Sequence, residues 1–282
     1  MNQPPIIFNR NAHRRYRDRA AIHMVQVRDI LQDAASRLLD RLDDTTRRFT
    51  YALDVGGRGV VAPALRARGI ACLSADLSAS VASLSGMPCV AMDEERLPFA
   101  AGSFDLVVAN LSLHWVNDLP GCLIQLRNAL RPDGLLLASI PIRDTLGPLR
   151  RALAEAELAL RGGAAPRIAP LPDLQDCAAL LQRAGFALPV VDAEDITLLY
   201  RNPAALLRDL RCAGESNALA LREKTFAPAS LFARTLAQLP TQDGCVPIML
   251  RMAMLTGWAP APSQPKPLPR GSGQIPLGDA LA

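Results

Sequence analysis

Between residues 49 and 141 short apolar runs alternate with stretches of helical spacing, and this alternation constrains the fold more than any other feature of the chain. The runs are YALDV, IACLSAD, CVAMD, FDLVVANLSL and GLLLASI, and the segments near 60–68, 78–85 and 119–131 read as helices between them. Apolar runs of this length, without polar alternation, are strands buried on both faces, which requires a parallel sheet with helices on either side. The implied class is a doubly wound α/β fold, whose ligands lie beyond the carboxyl ends of the strands. The third helix is well marked. Asn117 or Asp118 can cap it, Leu119, Leu123, Leu126 and Leu130 form its apolar stripe, and RPDG ends it in a turn before the next strand.

The flanking segments are read on the same grounds. Residues 8–42 are helical, and FNRNAHRRYRDRAAIH carries Arg10, Arg14, Arg15, Arg17 and Arg19. Such a charge run is either a solvated face or a basic lid or docking surface for an acidic partner. Past residue 143, DTLGPLRRALAEAELALRGG and DLQDCAALLQRAGF read as helices, with Glu155 and Glu157 on a solvated face. FALPVVDAEDITLLY reads as a strand or pair of strands, PAALLRDLRCAGESNAL as helix, and CVPIMLRMAMLTGWA as the final strand. The proline- and glycine-rich tail reads as extended and partly disordered. Three parts follow: a basic helical segment 1–48, an α/β domain with a helical lobe 49–258, and a tail 259–282.

Composition limits the function classes. A net charge of +4 over 282 residues does not by itself imply nucleic acid. The six cysteines are scattered with no C-x-x-C pair, and His13, His23 and His114 do not cluster with them, so no metal site is expected. No apolar run reaches about 18 residues and no signal-peptide core is present, so no membrane span is expected and the compartment reads as cytoplasmic.

The stretch that carries chemistry is YALDVGGRGVVAPAL, a strand entering a glycine turn and then a helix. Glycines there let a backbone turn tightly and let a ligand approach. Asp76 ends the next strand, about 20 residues beyond the turn, where an acid can accept both ribose hydroxyls. From Gly57 the segment fits G-x-G-x-x-A, a dinucleotide fingerprint. From Asp54 it resembles the D-x-G-x-G-x-G loop of S-adenosylmethionine methyltransferases, one residue short. The third strand favours the second reading: Asp93 ends it, LPF and SFDLVV follow, and LRPDG precedes the fifth strand, as in class I methyltransferases.

The motifs DEERLPF, FDLVVANLSLHWVNDLP, LRPDG, DTLGPLR, RGGAAPRIAP, LLQRAGFALPVVD, LRDLRCAGESNAL and LTGWAPAPSQPKPLPRGS occur in order, after FNRNAHRRYRDRAA. Together they resemble bacterial relatives of the mitochondrial complex I assembly factor 5 family, which has the class I methyltransferase fold. NLSLHW is also similar to a segment of the biotin-pathway malonyl-carrier-protein methyltransferase. The resemblance implies a seven-stranded sheet with a reversed last strand and S-adenosylmethionine as cofactor. It places Asp54, Gly56, Gly57 and Gly59 in the cofactor loop, Asp76 at the ribose, and Asp93 and Glu94 beside the adenine. Asn110, Leu111, His114 and Trp115 then face the reacting end. Two departures stand out: the shortened loop, whose turn is expected to rely on Gly57, and Ile142–Arg143 where relatives carry a glycine pair.

His114 is a candidate general base, since histidine titrates near neutral pH, or a structural partner of Trp115. Trp115 can wall a pocket or simply pack. Arg143 and Asp144 can contact substrate, with helix capping the plainer role for Asp144, and Glu215 is a lobe residue or a loop acid. Three functions stay open. One is a methyltransferase-family enzyme acting on a protein side chain during complex I assembly. Another is a carboxyl methyltransferase acting on malonyl held by acyl carrier protein. The last is a partner-binding module with a degenerate loop. Protein partners suit all three, and no metal triad supports hydroxylation.

Overall fold

The computed structural model describes residues 5–265 together with Ser272 and Asp279. Most of the region expected to be a disordered tail lies outside the described residues.

The apolar runs become strands β1 (Tyr51–Val55), β2 (Ala71–Asp76), β3 (Cys89–Ala91), β4 (Phe104–Asn110) and β5 (Leu130–Pro141). Two long strands follow, β6 (Ala187–Tyr200) and β7 (Val246–Trp258). The sheet has seven strands in the order β3-β2-β1-β4-β5-β7-β6. The first five are parallel, and β7 runs antiparallel to both β5 and β6. This is the seven-stranded, mostly parallel arrangement expected. The chain reverses between β1 and β4, so the carboxyl ends of these strands and of β2 frame one crevice.

Strand β4 shows why the sequence lacks alternation. Leu106 and Val108 join a cluster on one face, while Val107 and Ala109 join a cluster on the other. The first face is covered by α2 (Arg28–Leu39), through Ala34 and Leu38, by α3 (Val61–Ala67), through Val61 and Leu65, and by the short α4 (Ala79–Ala82), through Val81. The second face is covered by α5 (Leu119–Ala129), through Leu123 and Leu126, and by α7 (Leu174–Ala184), through Leu181. A third cluster joins α6 (Gly147–Arg161) and α8 (Pro203–Cys212) to β7. Helix α9 (Ala229–Ala237) adds Phe232, and this lobe overhangs the crevice. The N-terminal helix α1 (Arg10–Ala20) is capped by Asn9 and leads into α2 through a 3-10 segment.

Several local expectations are revised. Helix α5 is capped by Asp118 but stops at Ala129, and Leu130 already belongs to β5. RPDG is therefore no free turn: it lies within the strand, at a register shift, with Asp133 at φ 63°. FALPVVDAEDITLLY is one strand, and AGESNAL lies outside α8. Glu157 is buried against Arg167 instead of solvated. Among the described residues no helix is long and apolar enough to cross a membrane.

Candidate functional site

The glycine turn leaves β1 with Gly56 at φ 68°, Arg58 at 53° and Gly59 at 81°. The left-handed conformations fall on these three positions and not on Gly57. Gly57 is needed for space: a Cβ there would stand 2.0 Å from Asp54 Oδ1. Asp54 is fully buried beneath the turn and accepts from the Ala62 N–H at 3.2 Å and Ser74 Oγ at 3.3 Å. Burial pushes its carboxyl up to about 7, and its Oδ1 has no hydrogen-bond partner. Asp54 thus supports the turn from inside.

Asp76 closes β2 and is buried. Its carboxylate is occupied by the chain itself. Arg17 of α1 donates through Nε at 3.0 Å and again through Nη2, and the Ser78 N–H donates at 2.8 Å. The Arg17 Nη2 lies 3.6 Å from the point where a Cβ on Gly56 would sit. Burial works against the Arg17 charge, but Asp76 outweighs it and holds the guanidinium protonated. One layer out, Arg10 bonds Asp93 at 2.9 Å, Glu94, and the Trp115 carbonyl at 3.0 Å. Burial raises Glu94 above the usual carboxylate range. The basic run therefore divides: Arg14, Arg15 and Arg19 face solvent, whereas Arg10 and Arg17 form the lid of the crevice.

At the end of β4, the Asn110 amide donates to the Leu31 carbonyl at 3.1 Å and its Oδ1 accepts from Ser139 Oγ at 2.9 Å. Asn110 thereby ties the sheet to α2. Leu111 has φ 51°, and its carbonyl accepts from Arg58 at 2.6 Å. The next turn brings His114 and Trp115 against Glu215, which follows α8. Glu215 Oε1 accepts from Arg58 Nη2 at 2.6 Å, and Oε2 accepts from Trp115 Nε1 at 2.6 Å. His114 Nε2 stands 2.9 Å from the same Oε2. Burial alone would raise Glu215, but His114 and Arg58 outweigh it and hold the carboxyl well below its usual range. An ionised Glu215 can only accept, so His114 Nε2 carries the proton that faces it, and in the uncharged imidazole Nδ1 carries the lone pair. That Nδ1 is buried and has no partner. His13 stacks on Trp115 with centroids 5.1 Å apart, and burial keeps it uncharged near neutral pH.

Beside this cluster opens a cavity of about 350 Å³ under the helical lobe. Its walls are chiefly aliphatic, with Leu146, Leu149, Leu153, Leu206, Leu210 and Ile248 among them. His114, Trp115, Arg58 and Glu215 also line it. The structure thus sets Asp54, Gly56, Gly57, Gly59, Asp76, Asp93, Glu94, Asn110, Leu111, His114 and Trp115 at or just beyond the carboxyl ends of β1 to β4, and of these Leu111, His114 and Trp115 line the cavity. Arg143 and Asp144 stand apart. Arg143 is largely exposed and faces Asp173 at 3.5 Å, and Asp144 is exposed at φ 80°, while their neighbours Thr145 and Leu146 reach the cavity. Asp144 offers no side-chain cap to α6, whose N-cap is Leu146. Sequence reasoning read Arg10 and Arg17 only as part of a basic run, a solvated face or a lid, and passed over Arg58. The signal for the first two was their spacing with His13, which places all three on one helix stripe.

Comparisons with known proteins agree with this architecture. A family described as a methyltransferase domain matches residues 26–189. The chain is 36% identical to the mitochondrial arginine-hydroxylase NDUFAF5 of Danio rerio, across 97% of this chain and 89% of that protein. It is 34% identical to the malonyl-[acyl-carrier protein] O-methyltransferase of Xylella fastidiosa, across 90% of this chain and 89% of that protein. Among solved structures, a methyltransferase from Bacillus halodurans superposes with TM-score 0.54 at 15% identity, over 80% of this chain and all 100% of that one. That likeness concerns the fold alone.

Proposed function

From the premise that this chain belongs to the methyltransferase-domain family, and within it groups with NDUFAF5, we propose an S-adenosylmethionine-dependent methyltransferase. We further propose that it modifies a group presented by a protein during respiratory complex I assembly. The observation that carries the chemical part is the meeting of the glycine turn, through Arg58, with the His114–Glu215 pair, beside Asp76 at the end of β2.

The residues fit the cofactor by two tests. Beside the turn Asp54 Oδ1 is a buried acceptor without a partner, and Asp76 stands at the strand end suited to a ribose. Asp76 would hold the ribose hydroxyls, and Asp93 with Glu94 would lie on the adenine side. When bound, S-adenosylmethionine supplies an activated methyl group on a sulfonium. The rest of the work is alignment, together with removal of a proton from the acceptor. His114 Nδ1 can receive that proton, because Glu215 fixes the opposite nitrogen as donor. Glu215 also stabilises the imidazolium that results, and Arg58 keeps Glu215 ionised. The long match to NDUFAF5, and the match to a carrier-protein methyltransferase, support a protein-borne target.

A second reading has its own observation. Arg17 already satisfies Asp76, so a chain whose lid never opened would be a binding module without cofactor chemistry. Calorimetric titration with S-adenosylmethionine, and with NAD as control, separates the two. Saturable binding of the first, lost in Asp76→Asn, is the expected result. Absence of binding at millimolar cofactor would remove the enzyme reading and leave the module.

A further inference from the structure

Helix α1 touches both halves of the crevice. Its Arg17 holds Asp76, and its Arg10 holds Asp93 and Glu94. The residues just ahead of it are joined to the helical lobe. The Asn9 N–H donates to the Ala218 carbonyl at 2.7 Å, and the Ala220 N–H donates to the Ile7 carbonyl at 2.8 Å, so Phe8 and Leu219 form an antiparallel bridge. Phe8 and Ala12 share a buried cluster with Trp115, Ala169, Ala218 and Leu219, separate from the clusters on the two faces of the sheet. Trp115 and Ala169 line the cavity, and so do Glu215, Ser216 and Asn217, which immediately precede Ala218. The Phe8 ring meets Trp115 edge-on with centroids 5.2 Å apart, and His13 stacks on the same indole.

Arg17 has no room to leave Asp76 by turning its own side chain. It is 1% exposed, and Gly214 lies directly against it: a Cβ on Gly214 would stand 3.2 Å from Arg17 Cγ and 3.4 Å from its Cα. Freeing Asp76 therefore means moving the helix. The pivot is the 3-10 segment Ala21–Val27, whose Ala21, Met24 and Val27 are fixed in the core, and a 3-10 stretch between helices is a common hinge. At about 1.5 Å per residue, Arg17 lies about 6 Å from Ala21 and Phe8 about 20 Å. A tilt that withdraws Arg17 by about 3 Å then carries Phe8 through about 10 Å, far outside hydrogen-bond range. The bridge to residues 218–220 and the cover over Trp115 break with the ion pair.

We propose that α1 is a latch shared by the two halves: seating a nucleoside on Asp76 swings it about residues 21–27, and the same movement frees the 214–220 segment that walls the lobe cavity. The proposal rests on the cofactor reading for what opens the latch, and adds that cofactor entry and access to the cavity are one event. Such coupling is reciprocal, so loosening the lobe end eases opening at the cofactor end.

The test uses the full chain carrying Trp258→Phe, which leaves Trp115 as its single tryptophan. In that background Arg17→Ala, with no ligand, should shift Trp115 emission to the red and raise its quenching by acrylamide severalfold. Hydrogen exchange at the Asn9 and Ala220 amides should speed up about tenfold while the β4 amides keep their rates. Asp76→Asn, which keeps the side-chain shape, is read in the same way if Arg17→Ala fails to fold. S-adenosylmethionine added without either substitution should produce the same changes saturably. Leu219→Ala, at the lobe end, should tighten cofactor binding about threefold in calorimetry. A folded Arg17→Ala chain with Trp115 still covered would overturn the proposal. So would cofactor binding that leaves Trp115 and the Ala220 amide unchanged, or unchanged cofactor affinity in Leu219→Ala. Uncovering of Trp115 by Arg17→Ala, with no S-adenosylmethionine binding by any variant, would instead sink the methyltransferase reading and leave a latch joining the two ends.

Discussion

The two halves of the crevice are built on opposite plans. At the cofactor half three of the expected acids are answered by arginines from within, Asp76 by Arg17 and Asp93 and Glu94 by Arg10, while Asp54 Oδ1 stays without a partner beneath the turn. At the lobe half the walls are aliphatic, and His114 Nδ1 and Arg58 Nε are left unanswered. The first half is a set of paired charges that a ligand must compete with. The second is a prepared void that a ligand need only enter. A buried ion pair that can be traded for ligand contacts is a way of linking cofactor entry to movement of α1, whereas an apolar cavity selects by fit.

Glu215 joins the halves, so removing it should have the largest effect. Glu215→Ala leaves Arg58 buried without its carboxylate and should destabilise the fold by about 3 kcal/mol, measured by urea unfolding. A change near zero would mean that Arg58 finds another partner and the halves are independent. Gly57→Ala strikes the cofactor half alone. Its Cβ would collide with Asp54, and a loss of about 2 kcal/mol is expected in the same urea unfolding.

The pH dependence tests the support beneath the turn. The folded chain keeps Asp54 protonated up to about 7, while the unfolded chain releases that proton near the ordinary carboxylate value. The folded state thus binds the extra proton in between. The Asp54 contribution should lower stability as pH rises from about 4 to about 7, by at most about 1.4 kcal/mol per unit, and then level off. Subtracting the profile of Asp54→Asn isolates it; parallel profiles would show that Asp54 ionises normally. Smallest of all, Arg143→Ala should shift stability by less than about 0.5 kcal/mol and leave the S-adenosylmethionine titration unchanged, because its pair with Asp173 is exposed.

The halves were also unequally legible in the sequence. The sheet was readable because β1, β2 and β4 are apolar on both faces and end in residues with turn or ligand chemistry, as at Asp54, Asp76 and Asn110. Strand β5 was harder: RPDG has the composition of a turn, yet a bulge absorbs it because Asp133 adopts a left-handed conformation inside the strand. The lid was hidden because a charge run carries no mark of which arginines fold inward; Arg17 does so only because Asp76 waits 59 positions away. Glu157 and Glu215 were opaque for the same reason, each being buried by a partner distant in sequence or across a loop. The cavity arises from the gap between α6, α8 and β7, which local patterning does not encode.

The most direct measurement compares S-adenosylmethionine affinity in the native chain and in Arg17→Ala. If the acids of the cofactor half are held by the chain's own arginines, the variant should bind the cofactor at least tenfold more tightly, a gain of about 1.4 kcal/mol, while melting at a lower temperature without it. Equal or weaker cofactor binding by a folded Arg17→Ala protein would contradict the account, because Arg17 would then support the site instead of filling it.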